Sequence, residues 1–239
     1  MEVVALSGGK DSTAMALRLA EIEPSTERIY FITPTGDELP PMAEHWKHLE
    51  CLLKARLIRV KAPTLRELID EQNALPNWRM RWCTRMIKIE PCIEWLRKRK
   101  DSVLCVGLRA DEPMRKGIYS EDVECRYPLR EWGWGIQDVL NYLRQRKIKV
   151  PARTDCARCF YQRLGEWFRL WRDWPDWYAD AERDEEKIGH TYRSPTKDKH
   201  PAALKDLRAK FEAGWVPRGG HVQQALFDGE DESCRICRM

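Results

Sequence analysis

The chain has 239 residues, 43% hydrophobic and 33% charged, with 42 basic against 38 acidic side chains and a formal net charge of +4. This is the balance of a soluble globular protein, and it excludes a collagen-like chain or a long disordered one. No run of about 18 apolar residues is present, so no transmembrane helix is expected. The start, Met1-Glu2-Val3-Val4-Ala5-Leu6-Ser7, has neither the basic opening nor the long apolar stretch of a signal peptide, so a cytoplasmic location is expected.

In chain order, residues 3–6 read as a buried strand, 7–13 as a turn and 14–22 as a helix. A second strand is expected over 28–33. Pro40 and Pro41 open a helix that runs past His45 and His48 to Leu52. A third strand follows over 57–60, a short helix over 65–73, and a helix over 87–100 with Pro91 near its first turn. A fourth strand is expected over 103–107. Strands alternating with helices imply an α/β fold, a parallel sheet covered on both faces, with ligands at the C-terminal strand ends. The pattern then changes. Residues 136–147 are amphipathic, 160–174 read as a helix stopped by Pro175, and 202–211 look helical. The reading is an α/β domain over 1–130 and a mainly helical, cysteine-bearing region over 131–239.

Residues 79–100 hold eight basic side chains (Arg79, Arg81, Arg85, Lys88, Arg97, Lys98, Arg99, Lys100) against Glu90 and Glu94. A local positive field of this kind suits a polyphosphate or a nucleic-acid backbone, although a solvated helix face produces the same pattern. Among the eleven tryptophans, Trp167, Trp171 and Trp174 share one helical face by spacing. They read as an aromatic seam, with base stacking as the alternative.

Ser7-Gly8-Gly9-Lys10-Asp11-Ser12 lies between a strand and a helix. Its glycines let backbone N–H groups approach a phosphate, the following helix points its positive end there, and Lys10 adds a point charge. The pattern is neither GxxxxGK[ST] nor GxGxxG. This hexamer resembles the PP-loop of the ATP pyrophosphatases, and more of the chain agrees. Thr35-Gly36-Asp37-Glu38 follows the second strand, where those proteins carry a Gly-Glu segment near the adenosine. Arg81-Trp82-Cys83-Thr84 with Lys88 and Pro91, Gly107-Leu108-Arg109-Ala110-Asp111-Glu112 with Arg115, and Tyr127-Pro128-Leu129 with Trp132 resemble segments of the phosphoadenosine phosphosulfate (PAPS) reductase-like branch. That branch includes the sulfur-handling proteins of DNA phosphorothioation.

The resemblance implies a Rossmann-like fold and an enzyme that holds ATP, or PAPS, with Mg²⁺. Ser7, Gly8, Gly9, Lys10, Asp11, Ser12, Gly36, Glu38, Arg81, Lys88, Gly107, Arg109 and Arg115 would bind the nucleotide, and Lys10, Asp11 and Arg109 would serve catalysis. Asp11, Asp37 or Glu38 would hold the magnesium. Fixed donors and cations would stabilise a departing pyrophosphate.

Nine cysteines in a chain without secretion signals point to metal or redox chemistry. Cys156-Ala157-Arg158-Cys159, placed at a helix start, and Cys234-Arg235-Ile236-Cys237 are Cys-x-x-Cys pairs. Such pairs make a tetrahedral zinc site, a [4Fe–4S] site or a redox dithiol. The resemblance implies a cluster on Cys83, Cys156, Cys159 and either Cys234 or Cys237, with Cys125 a less favoured fourth ligand. Cys51, Cys92 and Cys105 read as buried structural residues, and the histidines show no metal spacing. The terminal Glu-Cys-Gly-x-His segment of true PAPS reductases is missing. The leading functional expectation is therefore ATP-dependent adenylation with pyrophosphate release, followed by iron–sulfur-dependent sulfur transfer. The acceptor would be a nucleic acid and the donor a sulfur-carrying protein. The alternatives are reduction of PAPS or adenosine phosphosulfate, and a binding module without turnover.

Overall fold

The computed structural model describes residues 1–99, 101–117 and 123–220. Five strands form one parallel sheet in the order β3-β2-β1-β4-β5: β1 (Glu2–Ala5), β2 (Arg28–Ile32), β3 (Leu57–Arg59), β4 (Val103–Cys105) and β5 (Cys125–Arg126). This is the Rossmann-like α/β architecture expected. The two-residue β5 has no periodicity of its own and was not legible as a strand.

Alternation along the strands assigns the two faces. Val4, Tyr30, Ile32 and Cys105 point into one cluster with Met15 and Leu19 of α1 (Lys10–Ile22), Met42 and Trp46 of α2 (Pro40–Leu53), and Val139 and Leu143 of α6 (Ile136–Gln145). Val3, Phe31 and Leu104 point the other way, onto Cys92 and Leu96 of α4 (Glu90–Arg97). Helix α6 therefore packs on the sheet layer, although it lies beyond residue 130.

A third cluster joins α3 (Leu65–Gln72) to α7 (Leu164–Asp173), α8 (Pro175–Ile188) and α9 (Leu204–Glu212). Trp167 is fully buried there, edge-on to Tyr178 with centroids 6.2 Å apart, and Trp171 and Trp174 pack on the same cluster. The three tryptophans form a seam between helices. Pro175, expected only to stop α7, also opens α8, because the missing N–H costs nothing in a helix's first turn.

Three expectations need correction. Helix α7 begins at Leu164, so Cys156 and Cys159 sit in a turn ahead of it, closed by the Cys159 N–H donating to the Cys156 carbonyl at 3.2 Å. Cys51 is exposed, whereas Cys92 and Cys105 are buried as expected. The helix read over 87–100 begins earlier, as a π-helical turn over Thr84–Ile89 that continues into α4. Its widened path, with the Glu90 N–H donating to the Arg85 carbonyl, precedes Pro91, which has no N–H for an ordinary helical bond. No helix among the described residues is long and apolar enough to cross a membrane.

Candidate nucleotide and thiol site

All strands run the same way, so the loops after β1, β2 and β4 emerge at one edge. The first is the phosphate-type loop. Helix α1 starts at Lys10 with no side-chain cap at Gly9. The Gly9 N–H donates to Ser7 Oγ at 3.3 Å, Ser7 Oγ and Ser12 Oγ are 2.9 Å apart, and the Ser12 hydroxyl donates to the Gly9 carbonyl at 3.1 Å. Gly8 has φ +84°, and a Cβ there would stand 2.0 Å from Met42 Cε and 2.8 Å from Trp46 Nε1. Only glycine fits that turn under α2.

Helix α2 also supplies a residue that sequence spacing missed. His45 is buried, and its Nε2 lies 3.3 Å from Thr13 Oγ1. Burial, and secondarily His48, pushes its pKa down to about 4, against a hydrogen bond to the Gly8 backbone. His45 is thus neutral at pH 7 and ties α2 to both ends of the loop. A histidine whose partners are Thr13 and the Gly8 backbone, on other elements, gives no signal in the sequence that would reveal this.

The loop after β4 presses on the same turn. A Cβ on Gly107 would stand 3.1 Å from the Ser12 nitrogen. Arg109, 1% exposed, donates from Nη1 to Asp11 Oδ2 at 3.0 Å and from Nε to Asp111 Oδ1 at 2.8 Å, and Nη2 lies 3.5 Å from Glu112. Arg115 donates to Glu112 at 2.9 Å. Arg109 thus binds carboxylates of its own chain and positions Asp11. Burial raises the Asp11 carboxyl, against the pull of Lys10 and Arg109, and its Oδ1 is buried with no hydrogen-bond partner among the described residues. The Tyr127-Pro128-Leu129 segment becomes α5 (Pro128–Glu131). From it Arg130 donates to the carbonyls of Arg109, Glu112 and Arg115 at 3.3, 2.7 and 2.6 Å. This brace also escaped sequence reading, because its acceptors are backbone atoms.

The loop after β2 is committed to the protein. Glu38 accepts from the Thr35 and Gly36 N–H groups at 2.6 and 3.1 Å. Asp37, 1% exposed, accepts from the Arg158 N–H at 3.0 Å and from Arg158 Nε at 2.8 Å, with a further short contact from Nη2. Two of the three candidate magnesium ligands, Asp37 and Glu38, are therefore occupied, and Asp11 alone has an oxygen to spare.

Arg158 lies inside the Cys-x-x-Cys pair, so this ion pair fastens the Cys156/Cys159 turn to the loop after β2. It continues from Arg158 Nη1 to Asp184 at 2.6 Å, where Tyr192 also donates at 2.9 Å. Arg153 wraps the same turn, donating to the Cys156 carbonyl at 2.6 Å, and Thr154 Oγ1 lies 3.7 Å from where a Gly9 Cβ would be.

Cys83, Cys156 and Cys159 meet in one cluster with Trp82 and Met86. The Cys156 thiol is pushed up by its hydrogen bond with Cys159 and by burial, with Asp37 and Cys83 adding to it. The Cys83 thiol is pushed up by burial and Cys159, against Lys88 and Thr84. Arg81 lies over Tyr161, 5.5 Å from its ring centre. Arg81 and Lys88 thus stand on the thiol side of the site. Cys125 is not brought to these thiols: it packs at β5 with the Cys92 cluster. Cys234 and Cys237 lie outside the described residues. Among the described residues, no group of three or more His, Cys, Asp or Glu side chains is arranged to hold a metal ion.

The chain was compared with known proteins. The family model of the phosphoadenosine phosphosulfate reductase domain matches residues 2–168. No curated protein matches. A solved structure of phosphoadenylyl-sulfate (PAPS) reductase from Candida auris, in a phosphate complex, aligns at 12% identity with a TM-score of 0.48, over 62% of this chain and 74% of that one.

Proposed function

Because the chain belongs to the phosphoadenosine phosphosulfate reductase domain family, we propose that it is an enzyme that activates a substrate with ATP and carries out sulfur chemistry beside it. The observation that supports this reading is that Thr154 lies beside Gly9 and that the Arg158–Asp37 pair fastens the Cys156/Cys159 turn to the loop after β2.

In this reading loop 7–12 holds the polyphosphate, with the Gly9 region, the α1 N-terminus and Lys10 facing negative charge. An acceptor oxygen attacks the α-phosphorus, the bond to the bridging oxygen breaks, and pyrophosphate leaves with the charge that Lys10 and the backbone donors stabilise. A sulfur nucleophile, supplied by a donor protein, then displaces AMP from the activated acceptor. Asp11, held by Arg109 and with Oδ1 lacking a hydrogen-bond partner among the described residues, would help hold a magnesium ion, which would offset charge on the phosphates. A nucleic acid is the acceptor this reading favours.

An iron–sulfur group is read here from the cysteine pattern and not from a formed site, since among the described residues no three metal-ligating side chains are arranged for a metal. Trp82, next to Cys83, has a buried indole N–H with no hydrogen-bond partner among the described residues, and cluster sulfides accept such bonds. Cys83, Cys156 and Cys159 would hold the group with Cys234 or Cys237, and it would supply electron transfer or a sulfide-binding iron.

A second reading, favoured by the family match, is reduction of PAPS. There two thiols give up two electrons to the sulfate sulfur, releasing sulfite and adenosine 3′,5′-bisphosphate as a disulfide forms. Protein purified without oxygen is assayed with ATP for pyrophosphate and AMP, and with PAPS plus a dithiol for sulfite. Pyrophosphate and AMP support the first reading, sulfite supports the second, and nucleotide binding without either product leaves a binding module.

A further inference from the structure

From residue 73 to residue 89 the chain has no acidic side chain, yet it carries Arg79, Arg81, Arg85 and Lys88. This segment leads into Cys83, and it holds two large apolar groups in water: Trp78 is 59% exposed and Met80 51%. The loop is closed by its own hydrogen bonds. Asn77 Oδ1 accepts from the Arg79 and Met80 N–H groups at 2.9 and 3.0 Å, and the Asn77 N–H donates to the Met80 carbonyl at 3.2 Å. The turn therefore holds Trp78 outward. The Arg79 guanidinium lies over the Trp78 ring, 4.7 Å from its centre. Trp82, four residues on, turns inward to the thiol cluster.

We propose that loop 76–82 is a docking platform for single-stranded nucleic acid, with Trp78 as the stacking face and Arg79 and its basic neighbours on the phosphates. The proposal rests on the sulfur-transfer reading for its purpose, since the platform would lead the acceptor to the site beside Cys83. A flat aromatic with a guanidinium on its ring, in a stretch without acids between residues 73 and 89 (Arg85 pairs with Glu90 just beyond it), complements a strand whose bases are unpaired. Paired bases keep their faces inside the duplex, where Trp78 cannot stack on them. An acidic peptide would use the charges and leave the broad indole unmatched.

The test is fluorescence anisotropy of a labelled mixed-sequence oligonucleotide about 20 nucleotides long, a length that covers one binding site. The same sequence as a duplex and vesicles of phosphatidylserine and phosphatidylcholine serve as competitors. The single strand is expected to bind more tightly than the duplex. Trp78→Ala should weaken it by about tenfold, with Trp78→Phe retaining most of the affinity. Arg79→Ala should flatten the dependence of log K on log salt by about 0.7. Circular dichroism of each variant checks folding, and the phenylalanine variant preserves an aromatic ring if the alanine variant misfolds. Equal binding by wild type and Trp78→Ala overturns the proposal. So does a duplex preference, or binding to vesicles without binding to the strand. Wild-type ATP turnover is measured in parallel. Pyrophosphate release without strand binding leaves the activity reading standing and removes this platform. Strand binding through Trp78 without pyrophosphate release does the reverse.

Discussion

Arg158 and Asp37 lie 121 positions apart and form a buried ion pair that fastens the Cys156/Cys159 turn to the loop after β2. The Arg158 N–H reaches the second carboxylate oxygen of Asp37, and the Ala157 N–H donates to the Asp37 carbonyl at 2.7 Å. One aspartate thus fixes both the backbone and the side chain of the thiol turn.

Arg158→Met should therefore cost about 3–5 kcal/mol, because it strands the buried charges of Asp37 and Asp184. Denaturant unfolding measures this. The double variant Asp37→Asn with Arg158→Met should recover part of the loss, and iodoacetamide should label Cys156 and Cys159 faster in the single variant. Unchanged stability and labelling would show that the pair holds nothing in place.

Gly8→Ala places a methyl against Met42 and Trp46 at a positive φ, so the loop must shift. Nucleotide affinity by calorimetry should fall by at least about tenfold, the equivalent of 1.4 kcal/mol. Gly107→Ala meets backbone at 3.1 Å at the start of α1 and should fall in the same direction. Gly133→Ala, also at a positive φ of +68° but with nothing within 4 Å of its Cβ, carries the backbone strain without the clash and is the control for it.

His45 makes stability depend on pH. The folded protein protonates it only near 4, and the ordinary value is 6.5. Between those values the unfolded chain binds more protons, so stability falls as pH drops from 6.5 to 4, by up to about 3 kcal/mol. Glu185, raised by burial from 4.5 to about 7, works oppositely, and its contribution is lost as pH rises through that window. Urea unfolding of wild type and His45→Gln across pH 4–7 isolates the histidine, because Glu185 is common to both. The variant should lack the histidine slope, and parallel curves would refute its assignment.

Protein prepared without oxygen should carry about four iron and four sulfide per chain. Cys83→Ser and Cys156→Ser should abolish most of that content, and Cys125→Ser, at the far cluster by β5, should leave it intact. Comparing Cys234→Ser with Cys237→Ser identifies the fourth ligand. Wild-type protein with zinc alone, or with no metal, would remove the cluster.

The order of strands and helices was legible because local physics sets it: β-branched runs read as buried strands, and glycines between strand and helix read as a phosphate-type turn. Proline marked the start of α2, whereas α8, which Pro175 opens, was not expected from the sequence. The motif residues also named the two halves of the proposed site, loop 7–12 and the thiols. What only the tertiary structure decided is how they join. Ion pairs and backbone hydrogen bonds across long separations leave no periodic trace, so Asp37 as the anchor of Arg158, Arg130 as the brace of the Arg109 loop, and His45 beneath Gly8 emerged from packing alone. The same holds for Cys125 and Cys83. They are one residue type in one chain, and the parallel sheet places one in the β5 cluster and the other in the thiol cluster.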